Sequence, residues 1–176
     1  LLKALAALHA ACDTARDEIF VVDNGSRDDS PARVASAFPK VQLIRNPCNN
    51  GFARANNQAI AGASGEFILL LNNDAFLAPD TLDRFEAVFR AQPRAAVLAG
   101  QLLDAEGRPQ RSAGRIPTVL DELGLGFLRR TPRVPVVNGL TEVESVVGAC
   151  IAVRAAAIRE AGSLDNDFFF YFEETE

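Results

Sequence analysis

The chain has 176 residues, 48% of them hydrophobic and 23% charged, and carries a net charge of −5. That length and apolar share fit one soluble domain with a sizeable core, and mild acidity without a basic stripe argues against a nucleic-acid partner. No apolar run approaches the roughly 18 residues of a membrane-spanning helix, and three scattered cysteines beside a single histidine lack zinc spacing.

Leu1, Leu5, Leu8 and Cys12 share one helical face. His9 lies beside that stripe without a Cys, Asp or Ser companion and reads as a surface or half-buried histidine. Cys12, Cys48 and Cys150 read as reduced cytosolic thiols. Residues 18–22 predict a short strand that ends abruptly in Asp23-Asn24-Gly25-Ser26. Asp28-Asp29-Ser30-Pro31 then supplies a helix cap, dipole-favourable charge and a proline for the first turn. A helix through Phe38, a strand over residues 41–44, a loop over 46–51 and a helix over 52–63 follow.

Residues 67–71 are five large apolar residues in succession, the pattern of a central parallel strand buried on both faces. This strand runs without a turn signal into Asn72, Asn73 and Asp74. Helix and strand alternate through this first part of the chain, which implies parallel pairing with right-handed crossovers. A helix over residues 79–92, a strand over 95–103 and a turn over 104–107 come next. Pro109, Pro117, Pro132 and Pro135 break up residues 108–138, an irregular excursion with a short helix over 118–128. Residues 142–154 read as a strand-like run, in which Gly148-Ala149 marks close approach of a ligand or another backbone. A helix over 155–161 leads to Asp165 and then to the aromatic run 168–172.

Polar clusters therefore close three strands: Asp23 to Ser26, Asn46 to Gly51, and Asn72 to Asp74. In a parallel sheet these ends share one edge and line one crevice, where open α/β sheets bind ligands. An Asp at that edge can accept from a base N–H or a ribose hydroxyl, and Gly51 before a helix lets backbone N–H groups approach an anion. A lone carboxylate beside two amides can hold a hard divalent cation if the ligand adds phosphate oxygens. The competing reading is that Asn72 and Asp74 merely end a strand and cap the next helix.

Val21-Val22-Asp23-Asn24-Gly25-Ser26, Asn49-Asn50-Gly51-Phe52-Ala53-Arg54-Ala55-Asn56-Asn57 and Asn72-Asn73-Asp74 together resemble the family 2 glycosyltransferases. Gly148-Ala149 with Val153-Arg154, and Leu164-Asp165 through Phe168-Phe169 to Tyr171-Phe172-Glu173-Glu174, are similar to that family's second half, in its bacterial rhamnosyltransferase-like branch. The resemblance implies a single α/β domain of the GT-A nucleotide-diphospho-sugar transferase type, with a mostly parallel central sheet flanked by helices. Residues 1–103 would form the donor half and 104–176 an incomplete acceptor-side half. It implies transfer of a sugar, with inversion, from a nucleotide-diphospho-sugar to the hydroxyl of a saccharide or lipid-linked acceptor, in cell-surface polysaccharide or glycan synthesis.

Carried over by position, Asp23 would contact the nucleotide base, with Asn24 and Ser26 shaping that pocket. Asn49, Gly51 and Asn57 would shape the floor, Arg54 could face phosphate, and Asn72 would lie near ribose and sugar with Asn73 beside it. Asp74 would bind Mg²⁺ or Mn²⁺ through the diphosphate. A nucleoside diphosphate leaving group calls for a divalent metal to stabilise its developing charge, so one carboxylate suffices, as base for the acceptor hydroxyl. The family pattern has Glu-Asp where this chain has Glu173-Glu174. The base therefore maps to Glu174, one methylene longer, with Glu173 the close alternative.

Two departures imply a fragment at both ends: the strand that precedes the first helix in the family is absent, and nothing follows Glu176. The chain also opens at Leu1 rather than Met. Some rings of 168–172 belong to a core and others to an acceptor wall or partner surface. Arg129-Arg130 with Arg133 reads first as a solvated loop and second as a contact to lipid phosphate, which would place a cytoplasmic protein at the inner face of the membrane. A nucleotide-sugar-binding module without catalysis is the alternative. A nucleotidyltransferase would want a glycine- and lysine-rich phosphate loop, which the first strand lacks, and no G-x-G-x-x-G supports a dinucleotide oxidoreductase.

Overall fold

The computed structural model of the chain describes residues 1–114, 136, 137 and 139–167. In chain order the elements are α1 (Leu2–Ala11), β1 (Phe20–Asn24), α2 (Ser30–Ala37), β2 (Gln42–Asn46), α3 (Phe52–Gly62), β3 (Phe67–Leu71), α4 (Thr81–Ala91) and β4 (Val97–Ala99). The second half holds β5 (Ala113–Gly114), β6 (Val136–Val137), β7 (Leu140–Thr141), β8 (Ser145–Val146), β9 (Cys150–Arg154) and α5 (Ala155–Ala161).

The stripe read from α1 is what docks it. Leu5 packs with Ile19 and Val34, and Leu2, Leu8, Cys12, Phe38, Val41 and Leu43 close around them. α1 and α2 thus lie over the β1–β2 pair, which is parallel and runs in register from Phe20↔Gln42 to Asn24↔Asn46. Pro31 is tolerated at the start of α2 because first-turn N–H groups have no helical partner. Asp28 Oδ1 accepts the Ser30 N–H at 3.0 Å, and hydrogen bonding from the Ser30 hydroxyl first, then from that N–H, holds its carboxyl below the usual range. α2 ends at Ala37, two residues before Pro39.

Among the described residues parallel pairing stops there. β3, expected as a parallel strand buried on both faces, pairs antiparallel with β9, which also pairs antiparallel with β4. The reason is visible in β9: Cys150, Ile151 and Ala152 are all buried, so this apolar run, drawn from far along the chain, takes the middle of its sheet. In β3 only Leu70 is buried. β4 is shorter than the expected 95–103, and the expected run over 142–154 is broken by a turn at Gly148-Ala149 into β8 and β9. That small pair does mark close approach of another backbone, since Ala149 O accepts the Asn72 N–H at 3.0 Å. The remaining pairings, β5–β8 and β6–β7, are short and antiparallel.

Phe89, 1% exposed, fixes α4 to this second sheet. Its ring stacks on Phe67 at 4.6 Å, and the Arg154 guanidinium sits 5.1 Å from its centroid while Nη2 donates to Phe89 O at 2.9 Å. A cation over an aromatic face and a bonded carbonyl both favour this position for Arg154. The helix expected over 118–128, the arginines 129, 130 and 133, the aromatic run 168–172, and Glu173 and Glu174 lie outside the described residues. Among the described residues, no helix is long and apolar enough to cross a membrane.

The three thiols are free, and their settings differ: Cys48 is exposed, Cys12 half-buried and Cys150 buried. Burial, reinforced by Asp17 and opposed by Arg16, pushes the Cys12 thiol up to about 11. Folding thus favours its protonated form, a contribution whole below about pH 9 and lost as pH rises through about 11. In iodoacetamide labelling read by mass spectrometry, Cys48 should react first and Cys12 slowly until pH approaches that upper value. Labelling of Cys12 as fast as Cys48 at about pH 8 would contradict the assignment.

Candidate functional site

Asp23 is the penultimate residue of β1 and has only 8% of its surface exposed. Its Oδ1 accepts the Ser26 N–H at 3.0 Å, which draws the chain into a tight turn. Gly25 makes that turn possible: its φ is +85°, and a Cβ there would meet the Cys48 Cα and C at 2.8 Å. Oδ2 is less well served. Arg45, its register partner on β2, brings Nε to 4.0 Å, beyond hydrogen-bond reach, from a side chain 69% exposed. A buried carboxylate oxygen without a close donor is costly, so a ligand N–H or O–H arriving there is favoured.

Asn24 is the hub of the adjoining loop. Its Nδ2 donates to Asn49 Oδ1 at 2.7 Å and Gly51 O at 3.1 Å, and its Oδ1 accepts from Asn50 N at 3.0 Å and Asn46 Nδ2 at 3.2 Å. Donors and acceptor are both fully engaged, so Asn24 shapes the wall and leaves little for a ligand. Asn49 Oδ1 also accepts the Gly51 N–H at 2.9 Å. Gly51 itself has φ +85° and opens α3. With its N–H taken, the donors this end offers an anion are those of the first turn of α3.

Arg54 and Asn57 face elsewhere. Asn57 Nδ2 donates to Leu164 O at 2.7 Å and Asn166 Oδ1 at 3.0 Å, while its Oδ1 accepts the Leu164 N–H at 3.1 Å. Arg54 Nε donates to Asn166 O at 3.2 Å. Both side chains hold the 164–166 segment against α3.

The third strand end closes with another tight turn, Asn72 O accepting the Ala75 N–H at 3.1 Å. Asn72 and Asn73 line one cavity, of about 960 Å³, together with Asp23, Asn24, Ser26 and Asn49. Residues from the three polar clusters thus line the same large cavity. Asp74 is exposed beside this wall. Among the described residues no group of three His, Cys, Asp or Glu could hold a metal ion. The donor set around Asp74 fits a hard cation only as a shared site, with a bound diphosphate supplying further oxygens.

Arg45 and Asn166 contribute to these walls and clamps without having been singled out from the sequence, and Asn46 and Asn50 were read only as members of a polar cluster. For Asn46 the signal was available: β1 and β2 are parallel and end together, so the amide that ends β2 falls opposite the one that ends β1.

The family model described as Glycosyl transferase family 2 matches residues 1–160. The chain is 27% identical over 179 residues to N-acetylglucosaminyl-diphospho-decaprenol L-rhamnosyltransferase from Mycobacterium tuberculosis, covering 90% of this chain and 58% of that protein. It is 25% identical over 165 residues to the low-salt glycan biosynthesis hexosyltransferase Agl10 from Haloferax volcanii, covering 90% and 51%. Among solved structures, S. aureus TarS 1-349 in complex with UDP superposes with a TM-score of 0.67 at 21% identity, covering 99% of this chain and 48% of that one. The mannosyltransferase PcManGT from Pyrobaculum calidifontis, in complex with GDP-Man and Mn²⁺, gives 0.61 at 23% identity, covering 94% and 44%. The fold is therefore of the GT-A type, and the chain spans little more than half the length of these two curated relatives.

Proposed function

We propose, from the premise that this chain belongs to glycosyl transferase family 2, that it is the donor-binding part of an inverting glycosyltransferase acting in glycan synthesis. The observation that carries the reading is Asp23: a buried carboxylate whose Oδ2 has no close donor among the described residues, lining the same cavity as Asn72 and Asn73. Asp23 accepts from the nucleotide base, Asn24 and Ser26 fix the wall around it, and Asn72 and Asn73 approach ribose and sugar. Asn49 and Gly51 hold the floor, and Arg54 and Asn57 hold the acceptor-side segment against it. The acceptor is a saccharide or a lipid-linked sugar; the latter has support in the name of the M. tuberculosis relative.

Asp74 is the residue that would hold Mg²⁺ or Mn²⁺, in company with the diphosphate. When bound, that cation supplies the positive charge that stabilises the departing nucleoside diphosphate. Glu174, with Glu173 beside it in sequence, removes the proton from the acceptor hydroxyl as it attacks the anomeric carbon from the face opposite the leaving group.

Isothermal calorimetry with UDP and with GDP tests the donor site. Asp23→Ala should weaken the better of the two by about tenfold or more, the worth of a hydrogen bond to a buried charge. Unchanged affinity for both would remove Asp23 from the site.

A further inference from the structure

Asp23 and Arg45 are register partners on the parallel strands β1 and β2, so their side chains leave the same face of the pair. Their exposure is opposite: 7% for the Asp23 side chain and 69% for that of Arg45. Nε stands 4.0 Å from Oδ2, near enough for the charges to attract and too far for a hydrogen bond. Among the described residues the Arg45 guanidinium meets no other acidic group. Oδ1 is already committed, since it accepts the Ser26 N–H at 3.0 Å. The pair therefore presents one open acceptor with a cationic donor beside it.

Hydrogen-bond complementarity decides what fits there. A phosphate drawn to Arg45 would face the Asp23 carboxylate, and like charges so close repel. A neutral group with an N–H next to a C=O satisfies both partners: the N–H meets Oδ2 and the oxygen meets the guanidinium. The Watson–Crick edge of uracil or thymine is such a group, an imide N–H between two carbonyls. Guanine instead offers two adjacent N–H donors, which match a carboxylate with both oxygens open. Here only Oδ2 is open. Cytosine and adenine carry a ring nitrogen without a proton at that edge, which Oδ2 would repel.

The fold itself takes more than one base, since TarS 1-349 is solved in complex with UDP and PcManGT with GDP-Man. Resting on the assignment of Asp23 to the donor site, we propose that Arg45 determines base specificity. It donates to the carbonyl beside the N–H that Asp23 accepts, and the pair selects a uracil or thymine nucleotide over a guanine one. The long exposed side chain of Arg45 closes onto the base edge once the nucleotide is seated, and Asp23 stays fixed by Ser26.

Calorimetry with UDP, TDP and GDP, on the intact protein and on Arg45→Ala, tests this. The unmodified protein should bind UDP and TDP about tenfold or more tighter than GDP, and Arg45→Ala should bring that ratio within about threefold. The ratio separates base contact from charge, because losing a cation near the diphosphate would weaken all three ligands alike. With 2-thio-UDP and 4-thio-UDP, a weakly accepting sulfur replaces one base oxygen. One of the two should bind the unmodified protein about tenfold less tightly than UDP, and Arg45→Ala as tightly as UDP does. Preference for GDP, an unchanged ratio in Arg45→Ala, or both thio analogues binding the unmodified protein like UDP overturns the proposal. The donor site survives that result as long as Asp23→Ala still weakens the nucleotide that binds best. If no nucleoside diphosphate binds, or Asp23→Ala changes nothing, the donor site fails and the role of Arg45 falls with it.

Discussion

Asp74→Ala is expected to erase the difference that Mn²⁺ makes to nucleoside diphosphate binding, measured by calorimetry with and without the metal. Among the described residues the exposed Asp74 carboxylate is the acidic group of the turn that follows β3, and a shared site loses its protein anchor when it goes. The expected loss is about a hundredfold in the metal-dependent component, given that metal sites built on few protein ligands depend on each. Metal-free binding, resting on Asp23, should change little. If Asp74→Ala keeps the full Mn²⁺ enhancement, the metal belongs to other residues. The result is separable from the Asp23→Ala measurement, because one variant removes metal dependence and the other weakens binding with or without metal.

Glu174→Gln carries the second large expectation. In the intact protein with its donor and acceptor, a general base contributes roughly 10²–10⁴ in rate, so turnover should fall by that order while nucleoside diphosphate affinity stays put. Glu173→Gln is the paired control. A fall in Glu173→Gln with no change in Glu174→Gln would move the base by one position. No change in either would favour a nucleotide-sugar-binding module over an enzyme. The extra methylene of Glu174 relative to the family's Asp is no obstacle to the chemistry, since reach rather than basicity is what differs.

The donor-side elements could be read from the sequence because each is a local signal. Apolar runs stop at polar clusters, glycines with positive φ open the turns at Gly25 and the start of α3, and Pro31 marks α2. The pairing of β3 was not legible. Its five apolar residues specify burial, but the partner, β9, lies some eighty residues away and runs antiparallel to it. Period and composition do not encode such a long-range choice. The motif containing Arg54 and Asn57 gave their neighbourhood but not their orientation. On a helix, residues 54 and 57 share a face, and only the packed 164–166 segment shows what that face meets. Asp23 was legible as a strand-end carboxylate, whereas the 4.0 Å gap to Arg45 that leaves Oδ2 available is a matter of side-chain reach.

The grip of Asn57 on Leu164 and Asn166 makes α3 a fixed-length spacer. One end of the helix is knotted to Asn24 and Asn49 through Gly51, and the grip lies less than two turns further on. Inserting or deleting one residue between them would swing Asn57 by about 100° and shift it by about 1.5 Å along the axis. The amide would then point away from Leu164 while the strand-end loop stayed intact. Point substitutions on the outer face of α3 are thus tolerable where single-residue length changes are not, and grafts or loop transplants into this chain should leave the Gly51-to-Asn57 interval unchanged.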